Sequence, residues 1–144
     1  MQQGLSKEML LVKKVNNMMH AIIIEESLAN KDILKKHKIL RTKFLPEPTN
    51  WHLNVVEIYG AIDEAIAEIQ YSMVSDKPFY FHIFDEGKTL IVVFKKSYFT
   101  LDPNKKITWM DAKIYGGSLN IPEEQLDFYP TRISEEDDWF SSPS

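Results

Sequence analysis

The chain has 144 residues, of which 44% are hydrophobic and 26% charged, with a net charge of −4 and no cysteine. That length fits one domain with a core of its own, and the balance is that of an ordinary globular protein. The lack of cysteine excludes disulfides, thiolate metal centres, iron–sulfur clusters and a cysteine nucleophile.

Residues 1–18 read as a leader. Ser6 would cap a short helix with Met9, Leu10, Val12 and Val15 as its apolar stripe. Met9 to Val12 is too short for a secretory signal, and Lys13 and Lys14 interrupt it. No run approaches the roughly 20 apolar residues that span a bilayer. A cytoplasmic location with no membrane partner is therefore expected.

Residues 20–27 contain Ala21-Ile22-Ile23-Ile24, a strand by β-branching and length. Asn30 then caps a turn of helix through Asp32, Ile33 and Leu34, with Asp32 at its positive end. Residues 38–45 read as a second strand, and Pro46-Glu47-Pro48 as a loop. Residues 51–59 form a third strand, ended by Gly60. The clearest helix is 61–73, where Ile62, Ala65, Ile66, Ile69 and Met73 fall at helical spacing.

Residues 79–94 read as a β-hairpin around Asp85-Glu86-Gly87-Lys88. A turn centred on Glu86-Gly87 pairs Ile83 with Leu90, Phe81 with Val92 and Phe79 with Phe94. The opposite face holds Tyr80, His82 and Phe84 against Val93, Ile91 and Thr89. Both faces are largely apolar, whereas a hairpin exposed on one side alternates. This hairpin is expected to be covered twice, by its own chain or by a second copy. Thr108-Trp109-Met110-Asp111 resembles a capping box, opening a helix that stops at Gly116-Gly117. Pro122 and two glutamates open a further turn.

Taken together, the order predicts an α+β domain over residues 19–130. Its core is a mainly antiparallel sheet of about five strands with two main helices packed on it, a ferredoxin-like variant. Residues 131–144 form an acidic C-terminal tail.

Charge is uneven. Residues 31–43 hold six bases (Lys31, Lys35, Lys36, Lys38, Arg41, Lys43) against Asp32, and residues 119–144 hold seven acids against Arg132. Lys35, Lys36, Lys38 and Arg41 are the candidate contacts to an anion or a nucleic acid. Negative net charge and the absence of a glycine–aromatic RNA-binding signature count against nucleic acid. Trp139 and Phe140 make the tail a candidate interaction segment, because disordered tails are usually poor in aromatics. They would dock on an apolar patch while the acids lie near residues 31–43.

The chemistry-bearing motifs are sparse. His20, His37, His52 and His82 show no metal-ligand spacing, so no metal is expected. There is no nucleophile elbow and no phosphate or dinucleotide loop, so no cofactor is expected. The weak catalytic candidates are His82 and Tyr80, with Glu25 or Asp85 as a carboxylate partner. The sequence therefore points to a non-enzymatic binding or interaction domain that self-associates. A small enzyme built on His82 and Tyr80 is the alternative, and nucleic-acid binding through residues 31–43 the second alternative.

Overall fold

The computed structural model describes residues 18–141. The leader expected over residues 1–18 lies outside this range except for Met18, as do residues 142–144.

One sheet organises the described chain. Its strands are β1 (Met19–Ile24), β2 (Lys38–Leu45), β3 (Trp51–Ile58), β4 (Tyr80–Phe84), β5 (Leu90–Phe94) and β6 (Tyr98–Leu101). The spatial order is β2-β3-β1-β4-β5-β6, with antiparallel pairing throughout. The α+β class holds, with six strands rather than about five. The additional strand, β6, is a four-residue edge in which only Leu101 is buried. A segment that short carries no readable alternation.

Three α-helices accompany the sheet among the described residues: α1 (Ile62–Ser72), α2 (Met110–Ser118) and α3 (Glu136–Ser141). Helix α1 forms where the apolar spacing places it, with Asp63 and Glu64 in its first turn facing the positive end of the helix dipole. It buries Ala65, Ile66 and Ile69 against Ala21, Ile23, Phe81 and Ile83 on the first face of the sheet. The connection from β1 to β2 covers the same face. Its 3-10 turn at Lys31–Lys36 is capped by Asn30, whose side chain accepts from the Asp32 amide at 3.0 Å. Leu28, Ile33 and Leu34 from this connection join the first-face core.

The second face carries Ile22, Leu53, Val55, Phe84, Leu90, Val92 and Phe94. Helix α2 and the irregular chain from Leu119 to Phe140 cover it. Both faces of the hairpin are thus covered within one chain.

The hairpin register differs from the expected one. Phe84 pairs with Leu90, Ile83 with Ile91 and His82 with Val92, a shift of one residue on β5. A one-residue slip turns every side chain of a strand over, so Leu90, Val92 and Phe94 join Tyr80, His82 and Phe84 on the second face. The cause is the turn. Asp85 Oδ1 accepts from the Lys88 and Thr89 amides at 2.8 and 2.9 Å, which keeps Thr89 out of the ladder. Gly87 sits at φ +90°, and a Cβ there would fall 2.2 Å from the Arg132 guanidinium. Glycine is needed both for the backbone and for the close approach.

The helix expected to stop at Gly116-Gly117 runs on to Ser118. Its stop is Asn120, at φ 68°. The Ile121 amide bonds the Gly116 carbonyl and the Asn120 amide bonds the Gly117 carbonyl, at 3.1 and 3.0 Å. This is a Schellman closure with asparagine in the left-handed position. Gly116 has a different task, since a Cβ there would lie 2.8 Å from Leu126 Cδ2. Thr108 does not cap the helix either. It lies in the preceding 3-10 turn, and its hydroxyl accepts from the Asp102 amide at 2.9 Å.

Ile83 and Phe84 are both fully buried, one on each face. Ile83→Ala should cost about 2–5 kcal/mol and Phe84→Ala about 3–5 kcal/mol of unfolding free energy. Urea denaturation of the isolated chain measures both. A loss below about 1 kcal/mol for Phe84→Ala would mean that the second face is not covered as described.

Candidate functional site

On the second face buried polar chemistry and an open cavity coincide. Period-two alternation puts His20, Ile22 and Ile24 of β1, and Tyr80, His82 and Phe84 of β4, on this side of the sheet. The chain that crosses them comes from residues 119–141, and its backbone and carboxylates meet each polar group in turn.

His82 is 6% exposed, and its Nε2–H donates to the Pro130 carbonyl at 2.9 Å. Burial pushes its pKa down to about 4, against a smaller upward pull from that hydrogen bond. The imidazole is therefore neutral near pH 7. The Tyr80 hydroxyl donates to the Gln125 carbonyl. Burial and the nearby Asp127 carboxylate raise the pKa of the phenol well above its usual value. Neither group is poised to exchange a proton at neutral pH.

His20 and Glu136 form a pair that sequence reasoning missed. His20 Nδ1–H donates to Glu136 Oε2 at 2.6 Å, and the two residues are 6% and 3% exposed. The partners lie 116 residues apart. The only signal was that His20 falls in phase with Ile22 and Ile24 on a buried strand. His20 and His82 flank Phe84, with ring centroids 6.3 and 5.2 Å from it.

Other contacts hold the same segment in place. The Arg41 guanidinium bonds the Asp137 carboxylate. Lys43 Nζ donates to the Trp139 carbonyl at 2.9 Å. At the hairpin turn, the Ser134 amide donates to Glu86 Oε1 at 2.9 Å and the Ile133 amide to the Asp85 carbonyl at 3.1 Å.

Between this segment and the sheet lies a cavity of about 150 Å³. Ile24, Leu45 and Leu53 contribute apolar wall. Trp51, Phe79, Tyr80, Tyr129 and Trp139 contribute aromatic surface, and His82, Gln125 and Asp127 the polar lining. Trp51 and Phe79 meet edge to face at 5.8 Å.

Of the residues singled out from sequence, the structure brings Tyr80, His82 and Trp139 to this cavity. Phe140 packs edge to face on Trp139 at 4.7 Å and joins the second-face core. Glu25 and Asp85 do not reach the cavity. Asp85 is taken up by the hairpin turn, and Glu25 faces Lys31 at 3.8 Å. The carboxylate that does line it is Asp127.

The basic segment is largely neutralised by its own chain. Lys35 meets Asp32 at 3.3 Å, Lys36 meets Glu68 at 3.0 Å, and Arg41 meets Asp137. Lys38 is exposed on the outer strand.

One group with metal-ligand chemistry occurs among the described residues. Glu25, Glu26 and His52 bring ligand atoms within 4.8 Å of one another. Glu26 is already engaged there, accepting from His52 Nδ1–H and from the His52 amide, both at 2.7 Å. Among the described residues, no helix is long and apolar enough to cross a membrane. No family model, no curated protein and no solved structure matches this chain.

Two outcomes follow from the polar contacts. The folded pKa of His82 lies below its unfolded value near 6.5, so the unfolded chain takes up a proton first as pH falls. Stability is then lost between about pH 6.5 and pH 4, by about 3 kcal/mol at most for this group. Above that window the group contributes no slope. Urea denaturation over this range should show a shallower pH dependence for His82→Leu than for the parent chain; equal slopes would refute the assignment. Separately, Glu136→Ala leaves His20 buried without its partner and should cost about 1.5–3 kcal/mol. Thermal unfolding measures this.

Proposed function

We propose that this protein is a non-enzymatic binding domain whose site is the cleft between the second face of the sheet and the C-terminal segment. The observation that carries this reading is the state of the cleft's polar groups. His82 is neutral and its Nε2–H is engaged, the Tyr80 hydroxyl is engaged, and apart from Gln125 and Asp127 the rest of the wall is aromatic or aliphatic. A concave, mainly apolar wall with few polar groups is the usual form of a ligand site. General acid–base work needs a group that titrates near neutrality, which favours binding over the small-enzyme alternative.

At about 150 Å³ the cavity is smaller than the roughly 300–1,000 Å³ of drug-sized pockets. It suits a single ring, a short alkyl group or one side chain of a partner.

The strand order supports a ferredoxin-like relationship. The first four strands lie as β4-β1-β3-β2, and the two connections that skip a strand both pack on the first face. This is the split β-α-β arrangement, with 3-10 turns in the first connection and β5 and β6 added at one edge.

Self-association would have to use a surface other than the hairpin. The outer edge of β2 exposes Ile39 and Phe44, at 44% and 48%. Lys38, Arg41 and Lys43 on the same strand oppose edge-to-edge pairing. Nucleic-acid binding has less support, because Lys35, Lys36 and Arg41 already face acids of the same chain.

Titration with benzyl alcohol, followed through the indole N–H resonances of Trp51 and Trp139, tests the cleft. A saturable shift of both is expected, and Leu45→Trp, which fills the cavity from β2, should weaken it at least tenfold. No saturable response, or one indifferent to Leu45→Trp, would sink the reading.

A further inference from the structure

We propose that the group the cleft takes is a cation: an ammonium carried on a short apolar stem. This rests on the cleft being a binding site at all, and adds the charge of its occupant.

Three observations carry it. Among the described residues Asp127 is the only charged one lining the cavity, and neither lysine nor arginine lines it. Among the described residues no basic side chain pairs with Asp127. Its hydrogen bond comes from the Tyr129 amide, at 3.4 Å. Asp127 is itself exposed, and its negative potential reaches Tyr80, where it adds to burial in raising the phenol's pKa.

The second observation is the wall. Trp51, Phe79, Tyr129 and Trp139 line the same cavity. Aromatic faces carry negative electrostatic potential and attract cations, and desolvated sites strengthen the attraction. The chain already uses this chemistry next door. Lys43 Nζ lies 5.4 Å from the Trp139 ring centroid, and the Arg41 guanidinium 5.5 Å from that of Phe140.

Third, the polar groups at the floor do not oppose a cation. His82 is neutral, and Tyr80 gives its proton to the Gln125 carbonyl. An anion, by contrast, would meet Asp127 with no compensating base among the described residues. A volume of about 150 Å³ matches a benzene-sized guest, and a trimethylammonium head is of that order. The same chemistry is offered by a free amine and by the side chain of a methylated lysine in a partner protein.

Choline and its neutral carbon isostere, 3,3-dimethylbutan-1-ol, separate charge from shape. Titration followed at the Trp51 and Trp139 indole N–H resonances should show choline binding at least tenfold tighter than the alcohol. Asp127→Asn should remove that preference, and Trp139→Ala should weaken both. Equal affinities for the two probes would overturn the cationic assignment while the cleft reading stands. A lack of response to both probes and to benzyl alcohol would overturn the two together. A short trimethyllysine peptide binding more tightly than choline would assign the cation to a partner protein, and equal binding would assign it to a free amine.

Discussion

Strands β1, β4 and β5 carry apolar side chains on both sides, so water must be kept from two surfaces at once. Ala21, Ile23, Ile83 and Val93 face one way, and Ile22, Phe84, Val92 and Phe94 the other. Each apolar Å² left open would forfeit about 25 cal/mol. The rest of the chain is arranged around this requirement. The two strand-skipping connections supply the first cover, and helix α2 with the C-terminal segment supplies the second. The covers differ in kind. The first is helix and 3-10 turn on aliphatic side chains. The second is largely irregular chain over a face where Tyr80, Phe84 and Phe94 join the aliphatic side chains, with polar groups beneath it.

That difference explains the buried polar contacts. A helix satisfies its own backbone, whereas irregular chain over a sheet must find partners for its carbonyls and amides. Pro130 and Gln125 find them in His82 and Tyr80. Glu136 and His20 complete the set. Each contact joins a fixed position on a strand to a fixed position on the segment, so together they set where the segment lies along the sheet. Hydrophobic cover alone would permit sliding. Buried polar contacts of this kind commonly contribute specificity more than net stability.

Much of this was legible in the sequence, for definite reasons. Helix α1 repeats its apolar residues at helical spacing, β1 stands out by β-branching, β2 by alternation of more polar and apolar positions before Pro46, and β3 by its apolar content before Gly60. The double cover of the hairpin followed from its two apolar faces. Its register did not, because the Asp85 carboxylate holds Lys88 and Thr89 in the turn, a side-chain hydrogen-bond choice that the alternation of the strands does not display. The end of α2 was missed because Gly116 and Gly117 resemble a stop, while Gly116 serves the approach of Leu126 and Asn120 closes the helix. Of the site, Tyr80, His82, Trp139 and Phe140 could be singled out by residue type. Asp127 and Glu136 could not. Both sit in an acidic stretch where no local pattern separates an exposed carboxylate that lines a cavity, or a buried one, from its neighbours.

The place of the cavity follows from the same construction. A regular helix laid on a sheet fills the space beneath it with side chains at even intervals. The segment from Ile121 to Trp139 bends instead, through Phe128 at φ 56°, a cis Tyr129-Pro130 bond and two short 3-10 turns. Its anchors are discrete: Phe128 in the core, Pro130 on His82, Glu136 on His20. Between anchors the chain stands away from the sheet. The gap opens over Ile24, Leu45 and Trp51, toward the β2 side, where α2 does not reach. Aromatic residues line this gap because large flat side chains can bridge an uneven separation that aliphatic ones would leave as a void. A cover built for stability alone would close such a gap. Here it stays open beside a carboxylate that pairs with no base among the described residues, and that combination separates the cleft from the rest of the core.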